Sequence, residues 1–390
     1  MVKLALSPHE QQLADKLSAL KADAGSHSPS VLTLRDALPE LPVNVDACFL
    51  SNPYATDLFV EYLKRELVNT QMLRDVLEFY PSQNEVIASF LAPQLQVDAA
   101  SVFVGNGAIE IIQSAIHNFC RGKIMVNLPT FSSYYEFAQR RFEVVFHHLS
   151  AESGFRLDVE RYLEQVHAEQ PDMVVLINPN NPDGTHIVYA DIVRILENLP
   201  PSTTAVIDES FIHFAYEGED LAIQSAVKEV ERFPNLIVVK SMSKDFGVAG
   251  IRAGYAVMSP DRVHQLLDDG YLWNSNGLAE YFFRLYCRDQ FLAEYDIVRR
   301  RYIGETQQFY EAMTAIKPLQ VFPSMANFVL CRLPDGVDAD EFGQVMLVRH
   351  GVYVRSCSDK IGLNGPYLRI ASRGTQENHL ILTALSDMFE

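Results

Sequence analysis

The sequence predicts an α/β protein, a larger domain built on a mainly parallel sheet and a smaller α+β domain at the C-terminal end. Three observations carry that expectation. Short apolar runs alternate with helix-spaced segments from about residue 100 to residue 258, as strands joined by helical crossovers do. Pro, Gly, Asn and Ser gather at the downstream ends of those runs, where open α/β sheets carry their ligand sites. Beyond Trp273 the texture changes to a long charged helical stretch and then a compact group of strands and helices.

Taken in order, residues 9 to 22 place Leu13, Leu17 and Leu20 at helical spacing. That helix suits an N-terminal arm, a segment laid across a partner subunit, or one packed on its own domain. Asn52-Pro53-Tyr54 ends an extended piece, helices are expected over 57–77 and 83–95, and Tyr80-Pro81 breaks between them. Ser101 to Val104 is a strand, Gly105-Asn106-Gly107 a tight turn and 110–119 a helix. Strands follow at 123–127, 144–148, 173–177, 205–207, 236–239 and 255–258, with helices from near Phe131 and over 158–167, 189–199 and 221–233. The C-terminal part has a helical stretch at 278–316, strands at 319–322, 326–333, 352–355 and 367–371, and helices at 339–349 and 376–389. The domains expected are 1–56, an N-terminal arm with part of the small domain, then 57–277, the large domain, and 278–390, the small one.

Composition narrows the function. The 390 residues are 48% hydrophobic and 21% charged, the balance of a globular protein, and the net charge of −18 argues against nucleic acid or an anionic membrane as partner. Five scattered cysteines (Cys48, Cys120, Cys287, Cys331, Cys357) show no zinc spacing, so reduced thiols and no metal are expected. The first residues turn polar too soon for a signal peptide, and no apolar run approaches the ~20 residues of a membrane span. A cytoplasmic protein acting on a small molecule is the expectation.

The chemistry centres on Ser241-Met242-Ser243-Lys244, at the end of one apolar run, with Arg252 eight positions beyond the lysine. A phosphate-bearing aldehyde cofactor needs such a set: Lys244 for the imine, and Ser241, Ser243 and Arg252 for the phosphate. The Gly105-Asn106-Gly107-Ala108 turn opens a helix and is a second phosphate seat. It is no dinucleotide fingerprint, because Glu110 stands at the third glycine position. Asp208 follows a buried run, where a carboxylate calls for a cation such as a protonated pyridine nitrogen, or else caps a local helix. Asn181, in Asn178-Pro179-Asn180-Asn181-Pro182-Asp183-Gly184, could hydrogen-bond a phenolate oxygen, and Phe131 could stack on a flat ring. Arg355 and Arg369, each on an expected strand, suit a carboxylate or a phosphate.

The order of these pieces resembles the fold type I pyridoxal-phosphate enzymes of aminotransferase class I/II, most of all histidinol-phosphate aminotransferase and threonine-phosphate decarboxylase. The resemblance implies a seven-stranded, mainly parallel sheet and pyridoxal 5′-phosphate as cofactor. It makes Lys244 and Asp208 catalytic, with Lys244 linked to the cofactor and Asp208 paired with the pyridine nitrogen. Asn181 would bond the ring hydroxyl, Phe131 stack on the ring, and Asn106, Gly107, Ala108, Ser241, Ser243 and Arg252 hold the phosphate. Tyr54 matches a tyrosine that reaches the cofactor of the other subunit, which implies a homodimer with its active site at the subunit interface. Arg369 matches a clamp on the substrate carboxylate, and Arg355 an arginine for a distal phosphate. Four departures stand out: Phe211 where tyrosine is usual, Ile109 where an acid is common, Ala55 followed by Thr56-Asp57-Leu58-Phe59, and Val354-Arg355-Ser356-Cys357, which with Asp208-Glu209-Ser210-Phe211 is nearer the decarboxylase pattern.

The leading expectation is an aminotransferase that converts an amino acid with a polar or anionic distal group to its 2-oxo acid. The alternatives are a decarboxylase of an amino acid or O-phospho amino acid such as threonine phosphate, another Cα-chemistry enzyme such as a cyclase or eliminase, and a non-enzymatic protein that uses the pocket for sensing or assembly.

Overall fold

The computed structural model describes residues 2–23, 28–271 and 274–389, so Trp273, where the texture of the sequence changes, lies outside the described residues. The chain divides into two compact units, a larger one of Ser51–Asn181 and Thr185–Arg301 and a smaller one of Met1–Leu50, Pro182–Gly184 and Tyr302–Glu390.

The larger unit is organised by a seven-stranded sheet in the spatial order Val102–Asn106, Ala253–Val257, Leu236–Ser241, Thr204–Asp208, Met173–Ile177, Lys123–Leu128 and Glu143–His148. Ala253–Val257 runs against both of its neighbours and the other strands are parallel. Every residue of Met173–Ile177, Thr204–Asp208 and Leu236–Ser241 is buried, as expected of strands covered on both faces. Their side chains alternate between two cores. Val174, Leu176, Ile207 and Val238 point to one, with Tyr162 and Val166 of helix Val159–Glu169 and Ile192 and Ile195 of helix Tyr189–Asn198. Met173, Val175, Val206 and Val239 point to the other, against Ile111, Ile112 and Ala115 of helix Ala108–Phe119. This is the fold type I architecture expected from the sequence.

In the smaller unit Arg355–Ser356, Tyr367–Ala371, Phe328–Arg332 and Gln320–Val321 form an antiparallel sheet in that order. Leu330, Ile370, Phe342 and Leu385 are all fully buried in this unit. The N-terminal helix Pro8–Asp23 packs on its own unit, with Leu13, Ala14 and Leu17 against Leu347, Val348 and Tyr353.

Several elements differ from the sequence reading, each for a local reason. The helix expected over 221–233 is a single short turn, Ala226–Glu229, because the Glu209 carboxylate takes the Ser225 hydroxyl and the Ala226 N–H and holds the segment to the sheet. The helix expected over 57–77 starts at Pro53, capped by the Asn52 side chain, widens over Lys64–Val68 and stops at Asn69 before a separate Met72–Glu78 helix. The 278–316 stretch is two helices, Gly277–Tyr286 and Asp289–Thr314, with Cys287 as the first one's cap. The strand expected over 352–355 splits: Val352–Tyr353 pairs with Val45–Asp46, and Arg355–Ser356 joins the antiparallel sheet. Among the described residues no helix is long and apolar enough to cross a membrane, and no acid, histidine and cysteine group could hold a metal.

Candidate active site

In the larger unit the loops at the downstream ends of the parallel strands come together. Helix Ala108–Phe119 begins at Gly107, whose φ of 78° suits glycine alone without strain. The Asn106 N–H is taken by the Glu110 carboxylate at 2.7 Å and the Gly107 N–H by the Gly105 carbonyl at 2.8 Å. The helix start therefore presents the N–H groups of Ala108 and Ile109, not that of Asn106. A Cβ on Gly107 would lie 2.4 Å from Arg252 Nη2, and one on Gly254 would lie 2.8 Å from the Gly107 carbonyl carbon. Two hydrogens in place of two methyl groups thus let the strand cross beneath the turn and the guanidinium rest on it. Arg252 Nη1 also donates to the Ala249 carbonyl at 3.1 Å and the Ser243 hydroxyl at 3.5 Å, and the Ser243 N–H donates to Ser241 Oγ at 3.2 Å. Helix N–H groups, two hydroxyls and one guanidinium around a cradle that a Cβ would fill are a donor set that fits a phosphate monoester.

Asp208 closes the Thr204–Asp208 strand and is 4% exposed. Its Oδ1 accepts from the Ser210 N–H at 2.9 Å and the Ser210 hydroxyl at 2.5 Å, and its Oδ2 from the Tyr134 hydroxyl at 3.0 Å. Burial pushes its pKa up, while the Ser210 and Tyr134 bonds and the Lys240 charge pull the other way. A carboxylate has about four lone-pair sites, so with three donors in place it can still receive a ring N–H.

Beyond these, the motif loops are tied to one another. Asn180 accepts from the Thr130 hydroxyl at 3.1 Å and donates to the Pro129 carbonyl at 2.9 Å, joining the loop that carries Asn181 to the one that carries Phe131. The Asn52 N–H donates to the Lys244 carbonyl at 2.8 Å, and the Thr56 hydroxyl bridges the Asn52 and Gly247 carbonyls at 3.0 and 2.8 Å. The unusual Ala55-Thr56 segment is thereby fastened to the lysine loop. Tyr54 accepts from Arg301 Nη2 at 3.1 Å and lies under its guanidinium, 4.1 Å from the ring centroid. Phe211 is buried, 3% exposed.

Three participants are missing from the sequence reading. Tyr134 reaches Asp208, although nothing but its place three residues after Phe131 signals it. Lys240 and Asp245 form a fully buried ion pair, and Lys240 Nζ also donates to the Glu209 carbonyl at 3.1 Å. One ammonium thus joins the residue after Asp208 to the residue after Lys244. The signal for it was a lysine at the end of an otherwise apolar run, Leu236 to Val239.

Arg355 and Arg369 lie together in the smaller unit, as direct partners across two antiparallel strands. Arg355 Nη2 meets Asp359 Oδ2 at 2.7 Å, and Arg369 Nη2 donates to the Cys48 carbonyl at 2.7 Å.

A family model described as aminotransferase class I and II matches residues 51–383. The chain is 53% identical to the L-serine phosphate decarboxylase of Campylobacter jejuni over 390 residues, 99% of each chain. It is 43% identical to the L-serine phosphate decarboxylase of Sulfurospirillum multivorans over 99% of this chain and 98% of that protein. A solved decarboxylase structure from Sulfurospirillum multivorans superposes with a TM-score of 0.93 at 43% identity, covering 98% of this chain and 97% of that one. These relatives overturn transamination as the leading expectation; decarboxylation, held as the alternative, fits them better.

Proposed function

Since the chain belongs to the aminotransferase class I and II family and is a pyridoxal 5′-phosphate enzyme, we propose that it decarboxylates an O-phosphorylated amino acid, with L-serine phosphate as substrate. The observation that carries this reading is the end-to-end likeness to two proteins of that activity, one of them more than half identical. The cofactor, when bound, supplies an electron-poor ring that takes up the electron pair released at the substrate Cα.

The chain's own residues do the rest. The Ala108 and Ile109 N–H groups, Ser241, Ser243 and Arg252 hold the cofactor phosphate, Phe131 stacks on the ring and Asn181 bonds its hydroxyl. The buried Asp208 carboxylate is kept in place by Ser210 and Tyr134, and it would face the ring nitrogen of the bound cofactor and favour its protonated form. Lys244 holds the cofactor aldehyde carbon between turnovers and delivers a proton to Cα in place of the departing carboxylate. Such proton transfer by a positioned side chain is worth on the order of 10²- to 10⁴-fold. Arg369 holds the substrate carboxylate and Arg355 the distal phosphate. The reading includes a homodimer, with Tyr54 serving the neighbouring subunit's cofactor, and a cytoplasmic setting, which the five free cysteines support.

The test is to incubate the holoprotein with L-serine phosphate and measure products. Equal amounts of CO₂ and O-phosphoethanolamine are expected, with no 2-oxo acid when an amino-group acceptor is supplied. Formation of 2-oxo acid without CO₂ would refute the proposal.

A further inference from the structure

A buried lysine stands where the apolar run Leu236 to Val239 ends, and stability alone does not account for it. Lys240 is 2% exposed and its partner Asp245 is fully buried. Taking two charges out of water costs about what their attraction returns, so an apolar pair of similar volume would hold the fold as well or better. What the ion pair adds is placement.

The strand that ends at Asp208 and the strand that carries Lys240 run parallel, with Asp208 opposite Val239, and the Glu209 N–H bonds the Val239 carbonyl at 2.8 Å. Lys240 Nζ then continues the tie, donating to the Glu209 carbonyl at 3.1 Å and to Asp245 Oδ2. Each of these two partners is also held from a second direction. The Glu209 carboxylate is bound to the Ser225 hydroxyl and the Ala226 N–H. Asp245 Oδ1 accepts from the Phe246 N–H at 3.0 Å, and the Phe246 ring stacks on Tyr295 with centroids 4.0 Å apart. The ammonium is thus a strut between two braced points, one residue from Asp208 and one residue from Lys244.

Its charge reaches further than its hydrogen bonds. Lys240 acts on Asp208 in the same sense as the Tyr134 hydroxyl, favouring the ionised carboxylate against burial, and Glu209 lies within reach of both charges. His213, with Nδ1 3.8 Å from Asp245 Oδ2 and 3.0 Å from the Tyr295 hydroxyl, is kept neutral by burial and by the charges of Lys240 and Arg299. Burial pushes Tyr255, Tyr286 and Tyr295 up, so these neighbours of Asp245 stay uncharged as well.

We propose that Lys240 is a positioning residue for the reaction: it fixes the separation of Asp208 and Lys244 and brings a positive charge to bear on Asp208. The inference rests on the assignment of those two residues to the cofactor, and it adds a third that acts through them.

The experiment compares three holoproteins: wild type, Lys240→Met, and Lys240→Met combined with Asp245→Leu. The double variant replaces the ion pair by apolar side chains, so its urea midpoint should return most of the way to that of wild type. Its kcat for CO₂ release from L-serine phosphate should nonetheless stay low, on the order of 10- to 100-fold below wild type, with KM little changed, as a shift of about 1 Å in a working group would produce. In Lys240→Met the pH midpoint of the visible cofactor band and the acidic limb of the pH–rate profile should both move upward, because a cation acting on Asp208 has gone. A double variant with the kcat of wild type overturns the proposal. So does a Lys240→Met protein whose lost activity matches its lost folded fraction while both pH midpoints stay where they were. Wild type that shows the band but releases no CO₂ from L-serine phosphate refutes the decarboxylase reading instead, and the band midpoint in Lys240→Met still decides the role of Lys240.

Discussion

Replacing Glu209 by glutamine tests how this protein carries a buried acid beside Asp208. Glu209 is 2% exposed, and its carboxylate accepts from the Ser225 hydroxyl at 2.5 Å and the Ala226 N–H at 2.7 Å. Burial pushes its pKa from 4.5 up to about 7, against the pull of those two bonds and of Lys240. A carboxyl that keeps its proton to higher pH in the folded chain than in the unfolded one contributes stability that is full below pH 4.5 and lost as pH rises through about 7. Between 4.5 and about 7, at about 1.4 kcal/mol per pH unit, that contribution is roughly 3 kcal/mol. The glutamine amide would keep an acceptor for the Ala226 N–H, give a donor to Ser225 and not titrate. The assay is the urea midpoint of wild type and Glu209→Gln from pH 4.5 to pH 8, taken as a difference so that shared titrations cancel. Wild type should lose ground to the variant across that window by roughly 3 kcal/mol, with the two nearest at its acidic end. A difference that does not change with pH would refute the reasoning.

Other perturbations have equally definite outcomes. Tyr134→Phe removes a donor from Asp208 and lets its pKa rise further, so the acidic limb of the pH–rate profile should move to higher pH. The lost bond, about 1.5–3 kcal/mol for a charged acceptor, should also appear as faster loss of cofactor on dialysis. Gly107→Ala places a methyl against Arg252 Nη2 at φ 78° and ψ 167°; an alanine in that glycine-only region costs ~1–3 kcal/mol before the guanidinium moves, and fluorescence titration should show cofactor affinity lowered about tenfold or more. Lys240→Met leaves Asp245 buried without its cation, a loss of about 3–5 kcal/mol by urea denaturation, and Lys240→Met with Asp245→Leu should recover much of it.

The parts of this protein that could be read from its sequence are those whose chemistry is local. Gly107, Arg252 and Lys244 sit in short segments where residue type and spacing already imply a phosphate and an aldehyde, and the strand ends that carry Asp208 and Asn181 follow from apolar runs. What stayed hidden depends on partners distant along the chain. The 221–233 segment has helical spacing, yet Glu209 claims its start. Lys240 and Asp245 are five residues apart, and only folding shows that the lysine also reaches Glu209. The reaction was hidden for the same reason: which bond at Cα breaks depends on how the substrate is held, and its holders are separate loops. Val354-Arg355-Ser356-Cys357 and Asp208-Glu209-Ser210-Phe211 were the local hints toward decarboxylation, the alternative that the relatives favour.

Lys240 has a consequence for how this part of the chain answers to change. Because one internal ammonium clasps both Glu209 and Asp245, the residue after Asp208 and the residue after Lys244 share a single fastening. Loss of that one charge would therefore be felt at both strand ends together rather than at one of them.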